Sequence, residues 1–164
     1  MEELRKEEEV VILFAAQKKN LKEDDAWESL DELEELVNTA GARAAVKVLQ
    51  RVDSINPGYY IGTGKVEELK ELVALHGATG VVSDDELSPV QMRNLSLELG
   101  VKVMDRTLVI LDIFAQRARS REGKLQVEIA QLKYQYSRLT GFGEMLSKQG
   151  GGIGTRGPGE KKLE

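Results

Sequence analysis

Apolar and polar residues fall into blocks of two kinds along the chain. Short apolar runs predict strands, and segments with apolar positions every three or four residues predict helices. The two kinds alternate, the pattern of an α/β domain around a mostly parallel sheet. Residues 10–16 (VVILFAA) are rich in β-branched side chains and predict a buried strand. Trp27, Leu30, Leu33 and Leu36 recur among acids and predict an amphipathic helix that Gly41 ends. Residues 44–52 predict a second strand, followed by a turn at Asn56, Pro57 and Gly58. A helix over 65–76 buries Val66, Leu69, Leu72 and Val73, and residues 80–82 give a short third strand. Ser88, Pro89 and Gln91 form a helix start with a capping box. That helix ends at Gly100, and residues 101–104 give the fourth strand. Residues 107–118 predict a helix apolar on most sides, which packs into the body. The expected fold is a small, mostly parallel four-stranded sheet flanked by helices.

The next block has a different period. Leu125, Ile129, Leu132, Tyr136 and Leu139 are spaced 4, 3, 4, 3, a heptad seam that calls for a second helix alongside. A glycine-rich stretch follows, and residues 160–164 read as the opening of another helix, so truncation is expected there. The domain boundaries expected are 1–106 for the α/β unit and 107–164 for a helical linker carrying the glycine-rich loop.

Composition excludes several chemistries. With no cysteine and one histidine, His76, the chain offers no disulfide, thiolate nucleophile, cysteine-bound zinc or two-histidine metal site. His76 reads as a cation near a helix C-terminus. No apolar run is long enough to span a bilayer, and acids at Glu7, Glu8 and Glu9 precede the first strand. A soluble, cytoplasmic protein is expected. The net charge of −5 hides a gradient: residues 1–40 sum to −8, residues 41–115 to −2 and residues 116–164 to +5. Half of the 16 glycines fall between Gly141 and Gly159. An acidic body therefore leads into a basic, glycine-rich tail, where a polyanion would bind.

Glycine patterns suggest nucleotides, and each fails a physical test. A P-loop needs Gly-Lys-Ser/Thr after a spaced glycine. Here Val66 follows Gly64 and Lys65, and Glu160 and Lys161 follow Gly159. Gly152, Gly154 and Gly157 match the dinucleotide fingerprint in letters but lack the strand before it and the helix after it. Gly62, Thr63, Gly64 and Lys65, at a helix start, are a possible anion site; the alternative is a tight turn with Thr63 or Gly64 capping the helix. Asp84, Asp85 and Glu86 follow a strand at the ligand-binding edge of such sheets, and read either as a magnesium site or as a solvated loop. Asp105, Arg106 and Thr107, after the fourth strand, read as an ion pair and helix cap first and as a ligand contact second. No metal site is assigned, and no nucleophile and base can be paired.

The tail is the stronger candidate. Arg117, Arg119, Arg121 and Lys124 cluster before the seam, and Lys133, Arg138, Lys148, Arg156, Lys161 and Lys162 continue the charge. Tyr134, Tyr136 and Phe142 are candidates for stacking on unpaired bases, although Tyr136 also belongs to the seam. The unpaired seam leaves a third class open, a helix-mediated interaction module or self-association of the chain.

These tail motifs carry a resemblance. Asp105, Arg106 and Thr107, residues 111–119 (LDIFAQRAR), 121–127 (REGKLQV) and 149–160 (QGGGIGTRGPGE) together resemble the HflX family of ribosome-associated GTPases. Asn56, Pro57 and Gly62 to Val66, with residues 84–89 (DDELSP), fit the same family. The resemblance implies an α/β N-terminal domain, an antiparallel helix pair joined by the glycine loop, and a GTPase domain beyond residue 164. The first helix of the pair would cover about 122–139 and the second would begin near Glu160. It implies binding to the large ribosomal subunit, the loop reaching rRNA near the peptidyl transferase centre, and use of GTP to split or rescue stalled ribosomes. GTP and magnesium would belong to the GTPase domain, which is also the intramolecular partner. The rRNA contacts expected are Lys148, Gln149, Gly150, Gly151, Gly152, Arg156 and Gly157, supported by Arg117, Arg119, Arg121 and Lys124. Lys161 stands where many members carry Thr.

Overall fold

The computed structural model describes residues 8–139. Four strands and five helices alternate in the expected order: β1 (Glu9–Gln17), α1 (Glu23–Ala40), β2 (Ala42–Arg51), α2 (Thr63–His76), β3 (Gly80–Ser83), α3 (Pro89–Leu99), β4 (Lys102–Asp105), α4 (Arg106–Arg117) and α5 (Arg121–Leu139). Every strand pair is parallel, in the order β2-β1-β3-β4. β1 is central and buried from Val11 to Gln17, as its unbroken apolar run requires. The β1–β2 register slips between Val11 and Ile12, so that Ala45 has no partner opposite.

The first crossover steps from β1 to β2, and the next two step the other way. Right-handed crossovers therefore place α1 on one face and α2 and α3 on the other. α1 packs on β1, β2 and α4, while α2 packs on β1 and α3. α5 touches both α3 and α4, so it runs past the β4 edge of the sheet. Among the described residues no helix is long and apolar enough to cross a membrane.

The helix ends are local chemistry. Gly41 ends α1 at φ 105, and Gly100 ends α3 at φ 68, conformations that a Cβ would strain. The Ser88 hydroxyl accepts the Gln91 N–H while the Gln91 side chain accepts the Ser88 N–H, the expected capping box. One stripe is displaced from its expected place. α1 buries Ala26, Leu30, Leu33, Val37 and Ala40, whereas Trp27 is 36% exposed and Leu36 half-buried. A recurrence of three drifts about 60° per step around a helix of 3.6 residues per turn, so Trp27 and Leu36 cannot share one face. The 4-3-4-3 spacing of the buried set can.

Candidate functional site

In a sheet of this order the connections leave β1 and β3 in opposite directions, and ligands of open α/β sheets enter the crevice at that point, beyond the strands' C-terminal ends. Here the chain fills the crevice with its own side chains. Tyr60 plugs it. Asn56 and Tyr60 exchange backbone hydrogen bonds (2.8 and 3.3 Å), and the Ile61 N–H closes onto the Tyr59 carbonyl at 2.8 Å. This γ-turn holds Tyr60 at φ 70, a left-handed conformation that costs a non-glycine residue roughly 1–2 kcal/mol. The loop is over-determined by side chains: Asn56 Oδ1 accepts the Gly58 and Tyr59 N–H groups, while Gln91 and Asn94 on α3 donate to the Asn56 and Gly58 carbonyls. The strain buries the phenol, 2% exposed, edge-on to Phe14 with ring centres 5.9 Å apart. β3 last pairs with β1 at Phe14, and beyond it the Tyr60 hydroxyl accepts the Ala16 N–H at 2.9 Å. The same hydroxyl donates to Asp85 in a short hydrogen bond. Burial first, and the bond to Asp85 second, hold the phenol well above its usual pKa.

Beside it, Arg106 bridges three elements. Its Nε and Nη2 donate to Asp84 Oδ1 at 3.0 and 2.5 Å, and Nη2 donates to the Ser29 carbonyl at 2.8 Å. The Ser29 hydroxyl donates to Asp84 Oδ2 at 2.6 Å. The Asp84 side chain is only 10% exposed, so this acid is not part of a solvated loop; Glu86 is exposed. Asp105, fully buried, caps α4 by accepting the Leu108 N–H at 3.1 Å and also accepts the Leu87 N–H at 3.1 Å. Among the described residues no three acidic, His or Cys side chains are grouped to hold a metal.

Gly62 itself is the cap residue of α2, without a side-chain bond, in place of Thr63 or Gly64. Its N–H donates to Gln50 Oε1 at 2.8 Å, and Lys65 pairs with Glu68 at 2.7 Å. The neighbouring hollow is lined by Tyr59, Thr63 and Val66 together with the carboxylates Glu67 and Glu98. Two acids there oppose an anion.

The cationic candidates lie at the corner between α4 and α5. Arg117 ends α4, Arg119 lies in the connection, and Arg121 and Lys124 open α5, where Ser120 Oγ caps the helix by accepting the Gly123 N–H at 2.9 Å. All four cations are exposed, and among the described residues none has an ion-pair partner. Along α5 the expected seam faces outward: Leu125 is 50% exposed, Ile129 49%, Leu132 43% and Tyr136 63%. Tyr134 is half-buried on the body side and its hydroxyl donates to Asp105 Oδ2 at 2.5 Å. Lys148, Gln149, Gly150, Gly151, Gly152, Arg156 and Gly157, with Phe142 and the expected second helix, lie outside the described residues.

Family models divide the chain close to this corner. Residues 27–115 match the GTP-binding GTPase N-terminal family, and residues 117–164 match the GTP-binding GTPase middle region. The curated "GTPase HflX" of Lacrimispora saccharolytica is 61% identical over 162 residues, 99% of this chain and 38% of that protein. The chain belongs to the HflX family of GTPases. The HflX of Escherichia coli is 48% identical over 142 residues, covering 87% of the chain and 33% of that protein. Among solved structures, a GTP-binding protein from Sulfolobus solfataricus in complex with GDP matches with a TM-score of 0.62 at 26% identity, over 84% of this chain and 40% of that one. The chain thus spans under half the length of these HflX relatives.

Proposed function

We propose that this chain is the ribosome-contacting region of an HflX GTPase, binding the rRNA of the large subunit in the cytoplasm while the parent protein uses GTP to split or rescue stalled ribosomes. The observation that carries the reading is the set of four exposed cations at the α4–α5 corner, unpaired among the described residues, on an otherwise acidic chain. Such cations neutralise phosphates and release counterions, which is the main source of affinity for nucleic acid. Arg117, Arg119, Arg121 and Lys124 supply electrostatic attraction. Lys148, Gln149, Gly150 to Gly152, Arg156 and Gly157 make the closer contacts, since glycine lets backbone approach RNA. We take residues 1–106 as the α/β unit and 107–164 as the linker that delivers these contacts. The outward seam of α5 is where the second helix of the pair would lie. GTP and magnesium would be held by a GTPase portion of the parent protein, since the sequence here carries no Gly-Lys-Ser/Thr. This region binds and does not catalyse.

The test is the salt dependence of affinity for purified large subunits. Replacing Arg121 by Ala removes roughly one phosphate contact and flattens the log–log slope by about 0.7–0.9. Arg156→Glu weakens binding further at low salt. Unchanged affinity and slope in the combined variant would exclude these cations as the contact.

A further inference from the structure

The hollow between α2 and α3 has a volume of about 150 Å³ and is lined by Tyr59, Thr63, Val66, Glu67 and Glu98. Its two acids come from different helices, and among the described residues neither carboxylate makes an ion pair or a hydrogen bond. Lys65, two residues before Glu67, is committed to Glu68 at 2.7 Å. Glu98 is also placed against its own helix. It lies in the last turn of α3, where the free carbonyls already carry negative potential, and that turn holds no basic residue to offset it. A half-buried acid that opposes its helix dipole and holds no partner contributes nothing to the fold. A local rule broken without a compensating contact marks a functional position. Beside Glu98, Leu97 is 65% exposed.

The geometry points to this hollow as the seat of a cationic side chain, an arginine carried by a protein partner. Two carboxylates, together with the C-terminal carbonyls of α3, attract a positive charge. A guanidinium suits them better than an ammonium. Its planar fork of five donors can serve two separate carboxylates at once, and its face stacks on an aromatic ring such as that of Tyr59. The volume, about half of the roughly 300 Å³ at which small-molecule sites begin, admits one side chain over Val66 and no nucleotide. Leu97 gives the residues flanking that arginine an apolar surface to rest on, which a free cation would not use. None of the cations at the α4–α5 corner lines the hollow, and its acids repel nucleic acid, so the inference stands apart from the ribosomal reading.

Nitrogen-15 NMR titrations of the whole chain at constant salt test it with three probes. These are acetyl-Leu-Arg-amide, the same peptide with citrulline, which keeps the shape and removes the charge, and guanidinium chloride alone. The arginine peptide should shift the amides of Thr63, Glu67 and Glu98 saturably, with a Kd on the order of 1 mM, the scale of a single anchoring side chain. The citrulline peptide should bind about tenfold more weakly, and Glu67→Gln combined with Glu98→Gln should abolish saturation. Leu97→Ser should weaken the arginine peptide and leave guanidinium unaffected. Equal binding of the citrulline peptide, saturation that survives the double variant, or an equal response at the exposed acids of α1 overturns the site. Guanidinium binding as tightly as the arginine peptide overturns the protein partner. Glu98→Gln alone should leave the urea midpoint unchanged or raise it, and a lowered midpoint would show that Glu98 serves the fold and overturn the premise. No ribosome enters these measurements, so their failure leaves the proposed function standing, and loss of large-subunit binding leaves the hollow's role standing.

Discussion

Replacing Tyr60 by Phe tests whether the crevice between β1 and β3 is held shut by a single hydroxyl. Phenylalanine preserves the ring, its edge-on contact with Phe14 and the backbone turn, so what is lost is one acceptor and one donor. The acceptor matters more. The Ala16 N–H lies past the end of β3 in a residue 5% exposed, against a phenol 2% exposed, and no water replaces the oxygen there. A buried donor left without an acceptor costs about 1–3 kcal/mol. Asp85 is exposed and regains water, adding little. The expected loss is thus about 2 kcal/mol, or roughly 4–8 °C in Tm for a chain of this size. Urea unfolding should show a lower midpoint at an unchanged m value, and the Ala16 amide should exchange faster relative to Ile12 and Leu13 in the same strand. A loss under about 0.5 kcal/mol with Ala16 equally protected would mean that the ring alone closes the crevice.

Three further outcomes follow from the same edge. Arg106→Ala strands Asp84, 10% exposed, beside Ser29 and should cost about 2–4 kcal/mol in urea titration. Glu32→Gln, whose carboxylate is 70% exposed and 3.7 Å from Arg106, should change stability by less than about 0.5 kcal/mol; equal effects would refute the ranking. Because the Tyr60 pKa is raised on folding, its contribution is fully present below the unfolded phenol pKa of about 10 and is lost as pH rises above it. The parent's stability should therefore fall above pH 10 more steeply than that of Tyr60→Phe, by up to about 1.4 kcal/mol per pH unit, and parallel curves would contradict the raised pKa.

Much of this fold is legible in the chain because its determinants are local. Apolar runs place the strands to within one or two residues, Gly41 and Gly100 end helices because a left-handed residue is needed there, and Ser88 with Gln91 writes its own cap. The site residues are harder, since their partners are distant. Asp84 and Arg106 stand 22 positions apart and Ser29 and Arg106 stand 77 apart, and neither separation leaves a periodic trace. Tyr60 is the extreme case. Nothing in its identity announces φ 70; the nearest signal is the turn chemistry of Asn56, Pro57 and Gly58, which fixes the loop but not the residue that inherits the strain. The structural tie of Tyr134 is likewise illegible from sequence, because its hydroxyl meets the carboxylate of Asp105, 29 residues away, only in the folded chain.

The junction of β4 and α4 explains why the run Asp105, Arg106 and Thr107 does structural work. Strand and helix abut with no residue between them, so consecutive side chains leave in different directions. Asp105 turns inward to cap α4 and hold α5, and Arg106 reaches across to α1 and the end of β3. A ligand entering at the crevice would have to pull Arg106 from Asp84 and Tyr60 from Asp85, breaking the ties that hold α1 and the end of β1 in place. At the α4–α5 corner the charges of Arg117, Arg119, Arg121 and Lys124 have no such internal duty among the described residues. On the proposed ribosomal reading, a polyanion would meet these cations without breaking any of the hydrogen bonds described here, whereas a ligand at the sheet edge would have to break several.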